Sequence, residues 1–486
     1  MINRVFSFIG TLALLTACSY NMPETSMPGD RIGSDDFSRF YVLGDGFSSG
    51  MMNGVLTSET QEYAYPNVIG NRIDAYFEAD LFQQADVTTP LGLNQFEPEN
   101  GESGQYRLFF RSPGDPIPGR RTGEGEAPGE WQGDLTSLRD LSIPGIRSFE
   151  VDEAVNSIDN RYLNRLPIQA DQSLLDHLVG QDPAIILVSL GYDDIIPFIL
   201  SGGTGSTVNN SVGEMDATPL DIYSSAIERV TDRLLDETDA SLIVTTIPDP
   251  RNTPLVTTLK YHMDLGRNIT AGDIGRLRGF YSEFNERAYE YNLADSVTEE
   301  TRRPFIDFDV DGGADFKKRV IYDPTLIDVE FDDGYVLPKI RQMDSSERLI
   351  YKSEEMLFEN YELGKTEPIQ PEYVLDASEI ARTGDLLSGY NNAIRAIAGG
   401  SSRINLLDIS QLMENLSNGE VQVDGVFYND DFERESLFSA DGIFLNPKGH
   451  AMVARKLAEL LNQQYDVPLT EIDVNNKPGL SFDQDF

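Results

Sequence analysis

Two short apolar runs constrain this chain more than anything else in it. "AIILVSL" (184–190) and "SLIVTTI" (241–247) are β-branched and apolar on both faces. A strand with two apolar faces has to be covered on both, which is the condition of a buried parallel strand. Three further runs have similar lengths: "FYVLG" (40–44), "LSIPG" (141–145) and "INLLDI" (404–409). Helical patterns lie between them. Ile227, Val230 and Leu234 fall on one face of the segment after residue 221. Val453, Leu457, Leu460 and Leu461 do the same in the last helix, where Asn446 reads as the N-cap and Pro447 as the first residue. This alternation predicts an α/β domain with a five-stranded parallel sheet covered on both faces. Ligands of such sheets sit beyond the carboxyl ends of the strands. The informative loops are therefore those after Leu43, Ile143, Leu190 and Ile247, and the segment before the last helix.

The chain has 486 residues, 40% of them apolar, enough for a sizeable core. Two long insertions interrupt the strand–helix pattern. Residues 95–135 are rich in Gly, Glu and Pro, and residues 250–375 mix a helix (272–295) with short strand-like pieces. Insertions at the ligand end of a sheet build lids or recognition surfaces. No internal repeat is present.

The first residues read as an export signal. Arg4 is a positive n-region and "VFSFIGTLALL" a short apolar h-region, too short to span a membrane as a helix. Leu15-Thr16-Ala17-Cys18 has the pattern of a bacterial lipobox, whose cysteine is lipidated and becomes the first mature residue. Cys18 is the only cysteine, which excludes disulfides and cysteine metal sites. Two or three acyl chains would hold the protein on a membrane. Ser19, where an aspartate could stand, favours the outer membrane by resemblance to other lipoproteins. The expected organisation is a signal peptide (1–17), a lipidated Pro-, Ser- and Gly-rich tether (18–38), a domain (39–470) and a tail (471–486).

The net charge is −43, spread along the chain. Such a surface repels phosphate backbones, so nucleic acid is excluded as a partner. The acid reads as a solubility device.

Four segments in chain order resemble the SGNH (GDSL-type) hydrolases, and most closely their large bacterial lipoprotein branch. "VLGDGFSSGMMNGVL" with "YAYPNVIGNRI" is similar to the first family block. "DLSIPGIRSFEV" is similar to the second, "LVSLGYDDIIPFILSGG" to the third and "LFSADGIFLNPKGHAMVARKL" to the fifth. The resemblance covers most of residues 39–465. It implies a flavodoxin-like three-layer sandwich and an ester hydrolase ancestry, with no cofactor and no metal.

The residues that the resemblance assigns to chemistry are altered. Gly46 stands where the family has its serine nucleophile. Gly145 matches the glycine that helps hold the oxyanion. Asp193 stands where an asparagine amide does the same. Asp441 matches the aspartate of the Asp-x-x-His motif, but Phe444 replaces the histidine. Glycine cannot form an acyl-enzyme. Phenylalanine cannot take a proton. A carboxylate repels a developing oxyanion. The resulting expectation is a non-catalytic protein that binds a small-molecule, glycan or protein ligand through a cleft lined by Asp45, Gly46, Gly145, Asp193, Asp194 and Asp441.

Three other readings stand beside it. A relocated nucleophile, Ser48 or Ser49, with His450 as base would make the chain an active carboxyl-ester hydrolase. The other histidines are His177, before the third strand, and His262, in the long insertion. A purely structural envelope component is the second. In the third, Asp45, Asp193 and Asp441 converge on a hard cation. Against that third reading, Asp45 and Asp194 are expected to be satisfied by backbone amides, Asp194 as a cap of the following helix, with Asp193 facing water.

Overall fold

The computed structural model describes residues 37–77, 93–94, 105–110, 118–123, 131, 133–308, 316–351, 357, 360–465 and 467–480. The signal peptide, Cys18, nearly all of the tether and most of the 95–135 insertion lie outside them.

All five expected strands form, within two or three residues of the apolar runs. They are β1 (Phe40–Gly44), β2 (Asp140–Ser142), β3 (Ile185–Ser189), β4 (Ser241–Thr245) and β5 (Ile404–Leu407). They make one sheet in the order β5-β4-β3-β1-β2, and every pair is parallel. Every residue of β1 and β3 is buried, as the two-faced apolar runs require. Each such Val, Leu or Ile contributes roughly 1.5–3 kcal/mol on burial.

Helices accompany the sheet, α1 (Tyr65–Phe77), α2 (Leu174–Val179), α3 (Leu220–Glu237), α6 (Ala377–Gly400), α7 (Ile409–Ser417) and α8 (Pro447–Tyr465), while α4 (Ala271–Phe280) and α5 (Ser282–Asn292) belong to the long insertion. Their starts are written in the sequence. Asp376 caps α6 by accepting from the Glu379 N–H, and Glu379 bonds back to the cap. Asn446 Oδ1 accepts the Gly449 N–H at 3.0 Å, so it caps α8 as expected. The apolar stripe of α3 buries Ile227, Val230 and Leu234. α6 packs beside α3, and α8 beside α1. Among the described residues no helix is long and apolar enough to cross a membrane.

The chain runs from β1 outward to β2, then back past β1 to β3, β4 and β5. Loops leaving β1 and β3 therefore part in opposite directions and open a crevice between them. Register brings their carboxyl ends level: Gly44 pairs with Ser142 on one side and Ser189 on the other. The loops that begin at Asp45, Ile143 and Leu190 thus emerge side by side.

The 250–375 insertion carries two small cores of its own. One gathers Ile274, Leu277, Tyr281 and Phe284 of α4 and α5 with Phe308 and Val320. The other joins Ile321, Met343, Leu349 and Ile369. The expected single helix over 272–295 is two, α4 and α5. At the far end, Ile472 and Val474 are buried in the main core, within the stretch read as a tail. Their apolar spacing is too short to register as an element, and only packing against the main core reveals it.

Candidate functional site

Asp45 leaves the end of β1 and ties two loops together. Its Oδ1 accepts the Phe47 N–H (3.0 Å), and its Oδ2 accepts those of Gly191 (2.8 Å), Tyr192 (2.7 Å) and Asp193 (3.3 Å). Burial pushes its carboxyl well above the ordinary range, and the neighbouring Asp193 charge pushes it further. Asp45 is thus satisfied by backbone amides, as expected.

Asp193 does not face water, contrary to the expectation, and it is only 2% exposed. Its Oδ2 accepts the N–H of Gly46 at 2.7 Å and that of Gly145 at 2.6 Å. One carboxylate oxygen therefore fills the space between two converging amides. The loop shape that aims Gly145 there uses a left-handed backbone (φ +79°), which glycine adopts at little cost. Burial pushes Asp193 up to about 6, against the pull of those two amides.

Asp194 does not cap the helix that follows; that helix has no side-chain cap. Its two oxygens instead accept the N–H and Oγ–H of Ser148, each at 2.9 Å, holding the loop after β2. That helix (Ile196–Leu200) carries Pro197 in its first turn, which needs one amide acceptor fewer.

Asp441 lies in the loop before α8. Its Oδ1 accepts the Ile443 and Phe444 N–H groups (3.0 and 2.9 Å), and its Oδ2 accepts that of Gly54 (3.0 Å). With no imidazole to orient, the carboxylate organises backbone. Phe444 is buried and turns its ring toward Gly46: a Cβ built on Gly46 would lie 3.0 and 3.1 Å from two of its ring carbons. Tyr192 packs between Phe47 (ring centroids 5.0 Å) and Phe444 (6.1 Å), and its hydroxyl donates to the Ile443 carbonyl at 2.8 Å. The three aromatic rings fill the crevice. Beside them lies a cavity of about 10 Å³ lined by Asp45, Phe47, Tyr192 and Thr246, room for about one water. Tyr192 went unremarked in the sequence, although an aromatic between Gly191 and Asp193 in "GYDD" was there to be read.

The substitute nucleophiles and base are not brought together by any hydrogen bond among the described residues. Ser48 Oγ donates to the Asp45 carbonyl (3.1 Å) and to Ser142 Oγ (2.8 Å). Ser49 Oγ donates to the Gly46 carbonyl (2.9 Å). His450 is not at the surface, where a residue in a helix's first turn is expected, but 1% exposed. The reason is tertiary: α8 presses this turn against α1, so His450 Nδ1 accepts the Tyr65 N–H (3.3 Å) and its ring stacks on Tyr65. His262 packs its ring against Phe316 (4.4 Å) within the long insertion. His177 lies on α2, which leads into the amino end of β3.

The buried titratable groups act on stability with opposite signs. Burial pushes Asp140 up to about 7; its Oδ1 accepts the Ser142 N–H, and its Oδ2 has no partner among the described residues. A raised carboxyl contributes stability that is full below the unfolded value near 4 and is lost as pH rises through 7. Burial pushes His450 down to about 3, so its contribution is full above 6.5 and is lost as pH falls toward 3. Asp140→Asn removes the alkaline loss alone. It is expected to raise the melting temperature relative to the unaltered protein at pH 8 and to lose that advantage by pH 4, with roughly 4 kcal/mol as the ceiling. Thermal melts of both proteins across pH 4–8 check this; a constant difference would refute it.

No protein-family model matches the chain, and no curated protein matches it.

Proposed function

We propose that this chain is a non-catalytic member of the SGNH-hydrolase type, a lipid-anchored envelope protein that works by binding a partner. The observation that carries the reading is the pair at the end of β1: a glycine amide, and a phenylalanine ring packed against it where acyl transfer needs a hydroxyl and a base. The strand order 2-1-3-4-5 is that of flavodoxin-like sheets, which supports the fold part of the reading. The spent hydroxyls of Ser48 and Ser49 and the buried, neutral His450 support loss of chemistry over its relocation. The filled crevice favours partner contact away from it, on the 250–375 insertion, where Phe280, Tyr289, Leu293 and Phe305 are exposed. The Leu15–Cys18 motif and Ser19 support the anchor and the outer membrane.

The test is intact-mass analysis of residues 19–486 after incubation with a fluorophosphonate. No adduct is expected. A stoichiometric adduct would overturn the reading, and peptide mapping would name the displaced nucleophile.

A further inference from the structure

Asp45 and Asp193 are both buried carboxyls in one crevice, yet they are held in different ways. Asp45 spends both oxygens on four amides from two loops and cannot leave without breaking the crevice. Asp193 places one oxygen between two amides, and its Oδ1 has no hydrogen-bond partner among the described residues. The cup it occupies reaches the surface. Gly145 is exposed, and among the described residues a Cβ built on it would meet nothing nearer than Asn160 Nδ2 at 3.5 Å.

Charges of both signs bear on that carboxylate from neighbouring elements. Arg147, two residues beyond Gly145, draws it toward ionisation. The arginine is 7% exposed and anchored through Nη2 to the carbonyls of Gly213 and Glu214 (2.9 and 3.0 Å). Its buried Nη1 has no hydrogen-bond partner among the described residues. Asp45, Asp194 and the more distant Asp441 bring negative charge to the same crevice. The site thus offers two aimed amides to an anion, with the charge of Arg147 favouring its ionised form, while the anion seated there is crowded by carboxyl neighbours.

We propose that the Gly46 and Gly145 amides form a carboxylate-binding site, and that Asp193 is its internal, displaceable occupant. A carboxyl-bearing ligand arriving past Gly145 would take the two amides, and Asp193 would swing out. The crevice would then be closed by the chain's own side chain until such a ligand competes for it. The proposal deepens the non-catalytic reading and rests on it in one respect: Asp193 is free to act as a plug because no reaction needs those amides.

The experiment uses residues 19–486, ¹⁵N-labelled at glycine, with acetate as the probe and neutral acetamide as its control. In Asp193→Ala the cup is vacant. Acetate is expected to shift the Gly46 and Gly145 amide resonances saturably at millimolar concentration, and to raise the melting temperature. Acetamide is expected to do neither. The unaltered protein is expected to need at least tenfold more acetate for the same shift. Asp193→Asn keeps the side chain's size and an accepting oxygen without the charge, so it covers the case in which the alanine variant fails to fold. It is expected to respond at concentrations between the other two. A folded Asp193→Ala with no saturable acetate response overturns the proposal. So does an equal response to acetamide, and, if only Asp193→Asn folds, the absence of a response there. A fluorophosphonate adduct on the unaltered protein would overturn the non-catalytic reading while leaving the acetate result to stand or fall separately.

Discussion

Asp45→Ala is expected to leave the protein largely unfolded at 37 °C. The substitution removes the acceptor of four backbone N–H groups, from Phe47, Gly191, Tyr192 and Asp193, in a place where the residue is 1% exposed. A buried donor left without an acceptor costs about 1–3 kcal/mol. Four of them amount to at least about 4 kcal/mol, against a typical total stability of about 5–15 kcal/mol. Removing a buried carboxyl whose ionisation is disfavoured returns part of this, but the amides stay unmet. Asp45→Asn should fall between. Its one oxygen can serve the Gly191–Asp193 side, while its NH₂ then faces the Phe47 N–H, donor against donor. Urea unfolding of the three proteins gives the comparison. An alanine variant within about 1 kcal/mol of the unaltered protein would show that the two loops are held by something other than Asp45.

Gly46→Ser is the second large effect, although a serine is the residue that the sequence resemblance would put at that position. A Cβ at position 46 would lie 2.8 Å from Asp193 Oδ2 and 3.0 Å from the Phe444 ring. Real Cβ atoms do not sit so close, so the carboxylate, the ring or the β1 loop has to move. Overpacking of this kind costs about 1–3 kcal/mol. The displaced Asp193 also loses its bonds to Gly46 and Gly145. Phe444→Ala alone should cost about 3–5 kcal/mol as a buried aromatic truncation. Combined, the two should cost less than their sum by about 1 kcal/mol or more, because the alanine vacates the space that the serine needs. A double-mutant cycle measured by denaturant unfolding decides the matter. Additive losses would mean that ring and Cβ do not compete for the same space.

Both expectations rest on the same feature: the groups at the ends of β1 and β3 are a mutually fitted set. Asp45 clamps the loops, Asp193 fills the amide pair, and Phe47, Tyr192 and Phe444 fill the rest. Gly46, Asp193 and Phe444 are thus packed against one another, since the carboxylate and the ring occupy the room that a side chain at position 46 would need.

The five strands, the α/β class and the loops that carry the site were legible in the sequence because each rests on a local cause. Two-faced apolar runs have no stable place except a covered sheet, and 3.6-residue stripes have none except against one. Asn446 before Pro447 marks a helix start by its own side-chain chemistry. That Gly46 offers no nucleophile and Phe444 no base needed only the residue names. What local chemistry does not contain is where a side chain finds its partner. Asp193 and Gly145 are 48 residues apart, and Asp193 and Gly46 are 147 apart. Only the sheet order, which seats β1 between β2 and β3, brings the two amides onto one carboxylate oxygen. The same holds for His450, whose position in a first helical turn predicted exposure until α8 met α1. Pattern therefore determined which elements form and which residues cannot do chemistry. Tertiary structure alone decided that the space those residues left is occupied, because occupancy is a property of surfaces that meet across the chain.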